Sequence, residues 1–150
     1  MERILIVEDD PSIAKGLGVR LKASGYEVTI ATDALTALSA ARQTQPDLAL
    51  LDISLPAGNG FTVAQRIFDL MPTTTPVIFL TASKESGLRQ EAARLGAAFF
   101  EKPYDADQLL AAIRYAFRSR PGRQADAANR QLATAKSAQT AALLQTSKPN

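Results

Sequence analysis

The sequence predicts an α/β domain over residues 1–120: five parallel strands in a doubly wound (βα)5 sheet with helices on both faces. Three observations predict it. Short aliphatic runs alternate strictly with segments of helical periodicity, five of each, between residues 3 and 118. Three of the runs, Ile4–Val7, Leu48–Leu51 and Val77–Leu80, are apolar at every position, as strands buried on both faces are. Glycine and proline fall where the helical periods stop, at Gly25, Pro72 and Gly96.

The elements follow in order. Ile4–Val7 is the first strand. From Pro11 to Ala23 a helix repeats Ile13, Leu17 and Leu21, and Gly25 ends it. Val28 and Ile30 mark a shorter second strand. Asp33 is placed to cap a helix carrying Leu35, Leu38 and Ala41, since an aspartate before a helix accepts from its unpaired first N–H groups. Leu48–Leu51 ends at Asp52, and Ser54–Gly60 reads as a loop with Pro56, Gly58 and Gly60. A third helix carries Phe61, Ala64, Ile67 and Phe68. Val77–Leu80 ends at Thr81, and Leu88, Ala92 and Leu95 give a fourth helix. Ala98–Phe100 leads into Glu101, Lys102 and Pro103, and Asp105 caps a last helix with Leu109, Ile113, Ala116 and Phe117. Such an alternation buries a parallel sheet between two helical layers.

Composition narrows the chemistry. Among 150 residues there is no cysteine and no histidine, which excludes disulfides, thiolate or imidazole metal sites and a Ser-His-Asp triad. No apolar run approaches the ~20 residues of a membrane span, and the amino terminus enters a strand pattern at once, so a cytoplasmic soluble protein is expected. Charge is uneven: residues 119–150 carry five basic residues against one acid, so the pI near 9.1 comes largely from that stretch and no nucleic-acid-binding element is implied. Residues 121–150 are rich in Ala, Gln, Thr and Ser, with Leu132, Leu143 and Leu144 as the only large apolar side chains. They read as a basic tail or a linker helix, with little to bury.

In a doubly wound sheet the site lies outside the carboxyl ends of the strands. The residues there are Glu8, Asp9 and Asp10, then Asp52, Thr81 and Lys102. Each alone reads as a turn former, a cap or a solvated charge. Together, on one edge, they are acids, a hydroxyl and an ammonium. Clustered carboxylates repel when ionised, and a hard cation with oxygen ligands, Mg2+ above all, is their natural partner. A carboxylate beside such a cation is a nucleophile toward phosphorus, and phosphoryl transfer then asks mainly for positioning and charge neutralisation. Asp52 is the best nucleophile, because its strand should lie centrally and a glycine-containing loop follows.

The stretches ILIVEDD, LLDISLPAGNG, VIFLTA and FFEKP, in this order and spacing, resemble the response-regulator receiver domain of two-component signalling, in the CheY-like superfamily. The resemblance covers residues 3–118. It implies the flavodoxin-like strand order 2-1-3-4-5. It implies that Asp52 accepts a phosphoryl group from the phosphohistidine of a histidine kinase or histidine phosphotransfer protein, with Mg2+ touching Asp9, Asp52 and the backbone carbonyl of Ser54, and with Glu8 acting through water. Thr81 matches the switch hydroxyl, Lys102 the phosphate-binding lysine with a cis bond to Pro103, and Phe99 the aromatic switch position. A module of this kind is not an enzyme toward other substrates. It presents the helix 4–strand 5–helix 5 surface to a downstream protein, and dimerisation on that surface is left open. Asp10, directly before Pro11, reads as the cap of the first helix instead of a metal ligand. The rivals are a haloacid-dehalogenase-type Mg2+ phosphatase, whose nucleophile follows the first strand in a DxDxT sequence absent here, and a receiver-like module that binds partners without phosphorylation. A Rossmann domain is weaker still, because no G-x-G-x-x-G follows the first strand.

Overall fold

In the computed structural model, residues 1–52, 60–70, 75–82 and 87–120 are described. The chain divides into two compact units, Met1–Phe117 and Arg118–Asn150. The expected tail, 121–150, lies outside the described residues, as do Ser54 and residues 55–59 of its expected loop.

The first unit alternates β1 (Arg3–Val7), α1 (Pro11–Ala23), β2 (Glu27–Ala31), α2 (Ala34–Thr44), β3 (Leu48–Asp52), α3 (Gly60–Leu70), β4 (Val77–Thr81), α4 (Leu88–Arg94) and β5 (Ala98–Glu101), and α5 (Ala106–Arg118) follows. The strands form one sheet in the order β2-β1-β3-β4-β5, parallel throughout. This is the expected fold, with β3 at the centre. β3 and β4 are buried at every position and β1 at all but its first, whereas the edge strands β2 and β5 are largely half-buried or exposed.

Side chains alternate across the pleat and build two cores. Leu5, Val7, Ala49, Leu51, Val77 and Phe79 pack with Ala37 and Ala41 of α2, Ala64 and Ile67 of α3 and Ala92 of α4. Ile4, Ile6, Leu48, Leu50, Ile78 and Leu80 pack with Leu17 and Leu21 of α1 and Leu109, Ile113 and Phe117 of α5. Each fully buried Leu, Ile or Phe contributes roughly 1.5–3 kcal/mol by leaving water, so the three inner strands supply much of the drive to fold.

In two helices one residue of the expected inward face points out to solvent. Ile13 is 41% exposed, whereas Leu17 and Leu21 are buried as expected and Ala14 and Gly18 are buried beside them. A Cβ on Gly18 would stand 3.3 Å from Ile30 Cδ1, so the missing side chain is what lets α1 lie close on β2. Leu35 is 79% exposed, whereas Ala41 is buried and Leu38 packs against the core as expected, and Ala37 joins them. In both helices the small residues mark the face that approaches the sheet.

The three expected caps are present. Asp10 Oδ1 accepts from the N–H groups of Ser12 (2.9 Å) and Ile13 (3.2 Å), Asp33 Oδ1 from that of Thr36 (2.8 Å), and Asp105 Oδ1 from those of Asp107 (2.8 Å) and Gln108 (3.0 Å). Gly25, just past α1, takes φ 93°, which a residue with a Cβ rarely adopts. The Thr36 N–H bond holds the Asp33 carboxyl below its ordinary pKa. With the folded value below the unfolded one, this stabilisation is present above the unfolded pKa and is lost as pH falls through the folded one. Asn at this position caps but does not titrate. The stability gap between wild type and Asp33→Asn, read by urea denaturation at about pH 7, should therefore close toward about pH 3. A gap that stays constant with pH refutes this.

Candidate functional site

The parallel register brings the strand ends together. Glu8 follows β1, with its N–H donating to the Ala31 carbonyl of β2 (3.0 Å). Asp52 closes β3 and Thr81 closes β4, with Asp52 opposite Leu80 and Thr81 opposite Glu101. Lys102 follows β5, and its backbone N–H donates to the Thr81 carbonyl at 2.7 Å. The Lys102–Pro103 peptide bond is cis.

Glu8, Asp52 and Thr81 are buried, whereas Asp9 is exposed beside them. One carboxylate oxygen from each of Glu8, Asp9 and Asp52 lies within 4.8 Å of the others. Lys102 Nζ reaches into this group, 2.7 Å from Glu8 Oε2 and 3.2 Å from Asp52 Oδ2. The ammonium thus bridges the two buried acids. Burial pushes the Glu8 carboxyl above its usual range and the nearby Asp52 charge adds to this, while the hydrogen bond from Lys102 opposes it. Burial disfavours the Lys102 ammonium, but Glu8 and Asp52 outweigh that and raise its pKa. Tyr104 is half-buried next to the site, and burial raises its hydroxyl. Asp10 is turned away: its Oδ1 is engaged in the cap, and only its backbone N–H points to Glu8, at 3.4 Å.

Three carboxylates against one ammonium leave an excess of two negative charges when all are ionised. The donors are all oxygen, on a buried floor with one exposed member. That set suits a hard divalent cation, and it offers no nitrogen or sulfur to a softer one.

Thr81 and Phe99 share a face of the sheet. Phe79 pairs with Phe99 and Thr81 with Glu101, and the period of two sends all four side chains to the α2–α3–α4 side. Phe99 is half-buried, with the guanidinium carbon of Arg89 4.9 Å from its ring centroid. The sequence reading did not reach Arg89; an arginine on a predicted helix carries no mark of which strand it will lean on. Nor did it reach the Lys102–Glu8 pair, which joins residues 94 apart.

The model of the response regulator receiver domain family matches residues 4–114. The chain belongs to that family. The receiver is 39% identical over 116 residues to the "DNA-binding dual master transcriptional regulator RpaA" of Synechocystis sp., a match covering 76% of this chain and 48% of RpaA. It is 40% identical over 115 residues to "Response regulator PleD" of Caulobacter vibrioides, covering 75% of this chain and 25% of PleD. The chain thus spans about half and a quarter of the lengths of these two relatives. Among solved structures, the receiver resembles the CheY-like receiver domain protein of Methanospirillum hungatei, with TM-score 0.72 and 31% identity, covering 77% of this chain and 92% of that one. The non-phosphorylated HemR receiver domain of Leptospira biflexa gives TM-score 0.71 and 34% identity, covering 77% and 94%. Receivers of this family are signalling modules of two-component response regulators.

Proposed function

We propose that this receiver is a phosphoacceptor switch, in which Asp52 takes a phosphoryl group from the phosphohistidine of a partner histidine kinase or histidine phosphotransfer protein. The observation that carries this reading is the placement of Asp52: a buried carboxylate at the end of the central strand, grouped with Glu8 and Asp9 and in reach of one ammonium. One oxygen of Asp52 attacks phosphorus in line. An O–P bond forms as the P–N bond of the donor breaks, and the electron pair leaves with the imidazole, which takes up a proton. Asp9 and Asp52 would hold Mg2+ directly, Glu8 would assist through water, and the backbone carbonyl of Ser54, which lies outside the described residues, would be the further protein ligand. The cation, when bound, neutralises charge on the equatorial oxygens. Lys102 turns its ammonium from Asp52 to the incoming phosphoryl oxygens. The Thr81 hydroxyl moves toward the phosphoryl group, Phe99 turns inward behind it, and the α4–β5–α5 surface shifts toward a form that a downstream protein reads.

No helix among the described residues is long and apolar enough to cross a membrane, and the proposed setting is the cytoplasm. The test is incubation with acetyl phosphate and Mg2+, followed by mapping of the label. A hydroxylamine-sensitive label on the peptide carrying Asp52 is expected. No label, or a label on another residue, overturns the reading.

The neighbouring acids separate in the same system. Asp9→Asn should weaken Mg2+ binding by at least the ~10–100-fold that loss of an outer-shell partner costs. Asp10→Asn should leave the affinity nearly unchanged, because the Asp10 side chain serves the cap. Equal losses in a Mg2+ titration would show that Asp10 also serves the metal.

A further inference from the structure

Arg89 lies in the first turn of α4 and touches β5 twice. Its guanidinium stacks over Phe99, 4.9 Å from the ring centroid, and its Nη2 lies 3.7 Å from Glu101 Oε1. Phe99 and Glu101 are two apart on the strand, so one planar group crosses the ring and ends on the carboxylate. The Arg89 side chain is 67% exposed, whereas Thr81, on the same face, is fully buried. A ring stacked on a solvated guanidinium reaches the surface. A ring turned in toward Thr81 must leave that guanidinium behind, because carrying the charge into buried space without a full set of partners is costly. The contacts of Arg89 therefore differ between the two positions of Phe99, and only a differential contact shifts such an equilibrium.

We propose that Arg89 is a positioning residue of the switch, holding Phe99 outward in the resting receiver and lowering the population of the inward form. This rests on the reading of Thr81 and Phe99 as the switch pair. An exposed cation–π contact and a half-exposed ion pair together bias the resting equilibrium by about three- to tenfold. The planar face of the guanidinium matters as well as its charge, so Arg89→Lys keeps only part of the bias.

The experiment compares full-length wild type, Arg89→Gln, Phe99→Leu and the double variant. Beryllofluoride with Mg2+ stands in for the phosphoryl group and is read by titration. Arg89→Gln should bind it about three- to tenfold more tightly, since a ligand of the minor form gains as that form is populated. In the Phe99→Leu background the same change should alter affinity by less than about twofold, as expected when the two residues act through one contact. Without beryllofluoride, the nuclear Overhauser contact between the Phe99 ring and the Thr81 methyl should be stronger in Arg89→Gln than in wild type. An unchanged Overhauser contact, or an equal affinity gain with and without the Phe99 ring, reduces Arg89 to a surface ion pair and overturns the proposal. Failure of wild type to bind beryllofluoride would instead count against the phosphoacceptor reading, and the Overhauser comparison would then decide the role of Arg89 alone.

Discussion

Replacing Asp52 by asparagine should abolish phosphoryl labelling while leaving the domain folded. Asparagine keeps the shape of the side chain but lacks the anionic oxygen that would attack phosphorus, and no other acid stands at the end of the central strand. Asp52 is 4% exposed, so a neutral isostere adds no void. The substitution also removes one of two like charges that share Lys102, which keeps its shorter contact, 2.7 Å, with Glu8. Lys102 is not left as an uncompensated buried charge, so the loss of stability without Mg2+ should stay below the ~3–5 kcal/mol that stranding one charge costs. The measurements are label incorporation from acetyl phosphate and urea denaturation of the metal-free protein. Label retained in Asp52→Asn would place the acceptor elsewhere, and a gross loss of stability would make Asp52 a structural residue.

Replacing Lys102 by methionine should do the opposite to the resting fold. Methionine preserves much of the aliphatic stem but takes the ammonium from between Glu8 and Asp52, whose side chains are 4% and 5% exposed. Two nearby buried carboxylates then lack their bridging cation, and removal of one partner from a buried pair costs ~3 kcal/mol or more. Urea denaturation without divalent cations should show this loss at neutral pH. Mg2+ should narrow the difference, because a cation held by the same acids replaces part of the missing charge. Labelling should fall as well, since the ammonium no longer meets the phosphoryl oxygens. A Lys102→Met protein as stable as wild type in the absence of Mg2+ would show that the acids do not depend on the lysine at rest.

The residues whose role follows from one local rule were legible in the sequence. Leu48–Leu51 and Val77–Leu80 announce buried strands because nothing polar interrupts them. Asp10, Asp33 and Asp105 announce caps because each stands directly before, or one residue before, a helical period. The carboxyl-end edge gathered Glu8, Asp9, Asp52, Thr81 and Lys102 because a parallel sheet leaves strand ends nowhere else to converge. What the sequence withheld depends on how elements lean on each other. Ile13 and Leu35 are large and apolar, so they drew the predicted faces of α1 and α2 toward themselves. Leu17, Leu21 and Ala41 bury as the spacing indicates, but Ala14, Gly18 and Ala37 complete the buried faces, and their smallness permits close approach and carries no strong period. The choice of Lys102 between solvent, phosphate and Glu8 is a rotamer, and the lean of Arg89 on Phe99 is an angle between a helix and a strand. Neither is written in spacing.

The backbone bond from the Lys102 N–H to the Thr81 carbonyl, 2.7 Å long, has a consequence for engineering. The residue that would grip the phosphoryl group and the residue that would sense it hang from one main-chain link between adjacent strands. Their backbones are tied together by the sheet, and on the proposed reading a signal passing between them would travel as a change of side-chain rotamer and not as a sliding of strands. In chimaeras with other receivers, β4 and β5 should be exchanged as one cassette. Exchanging either alone would make that main-chain link between strands taken from two different parents.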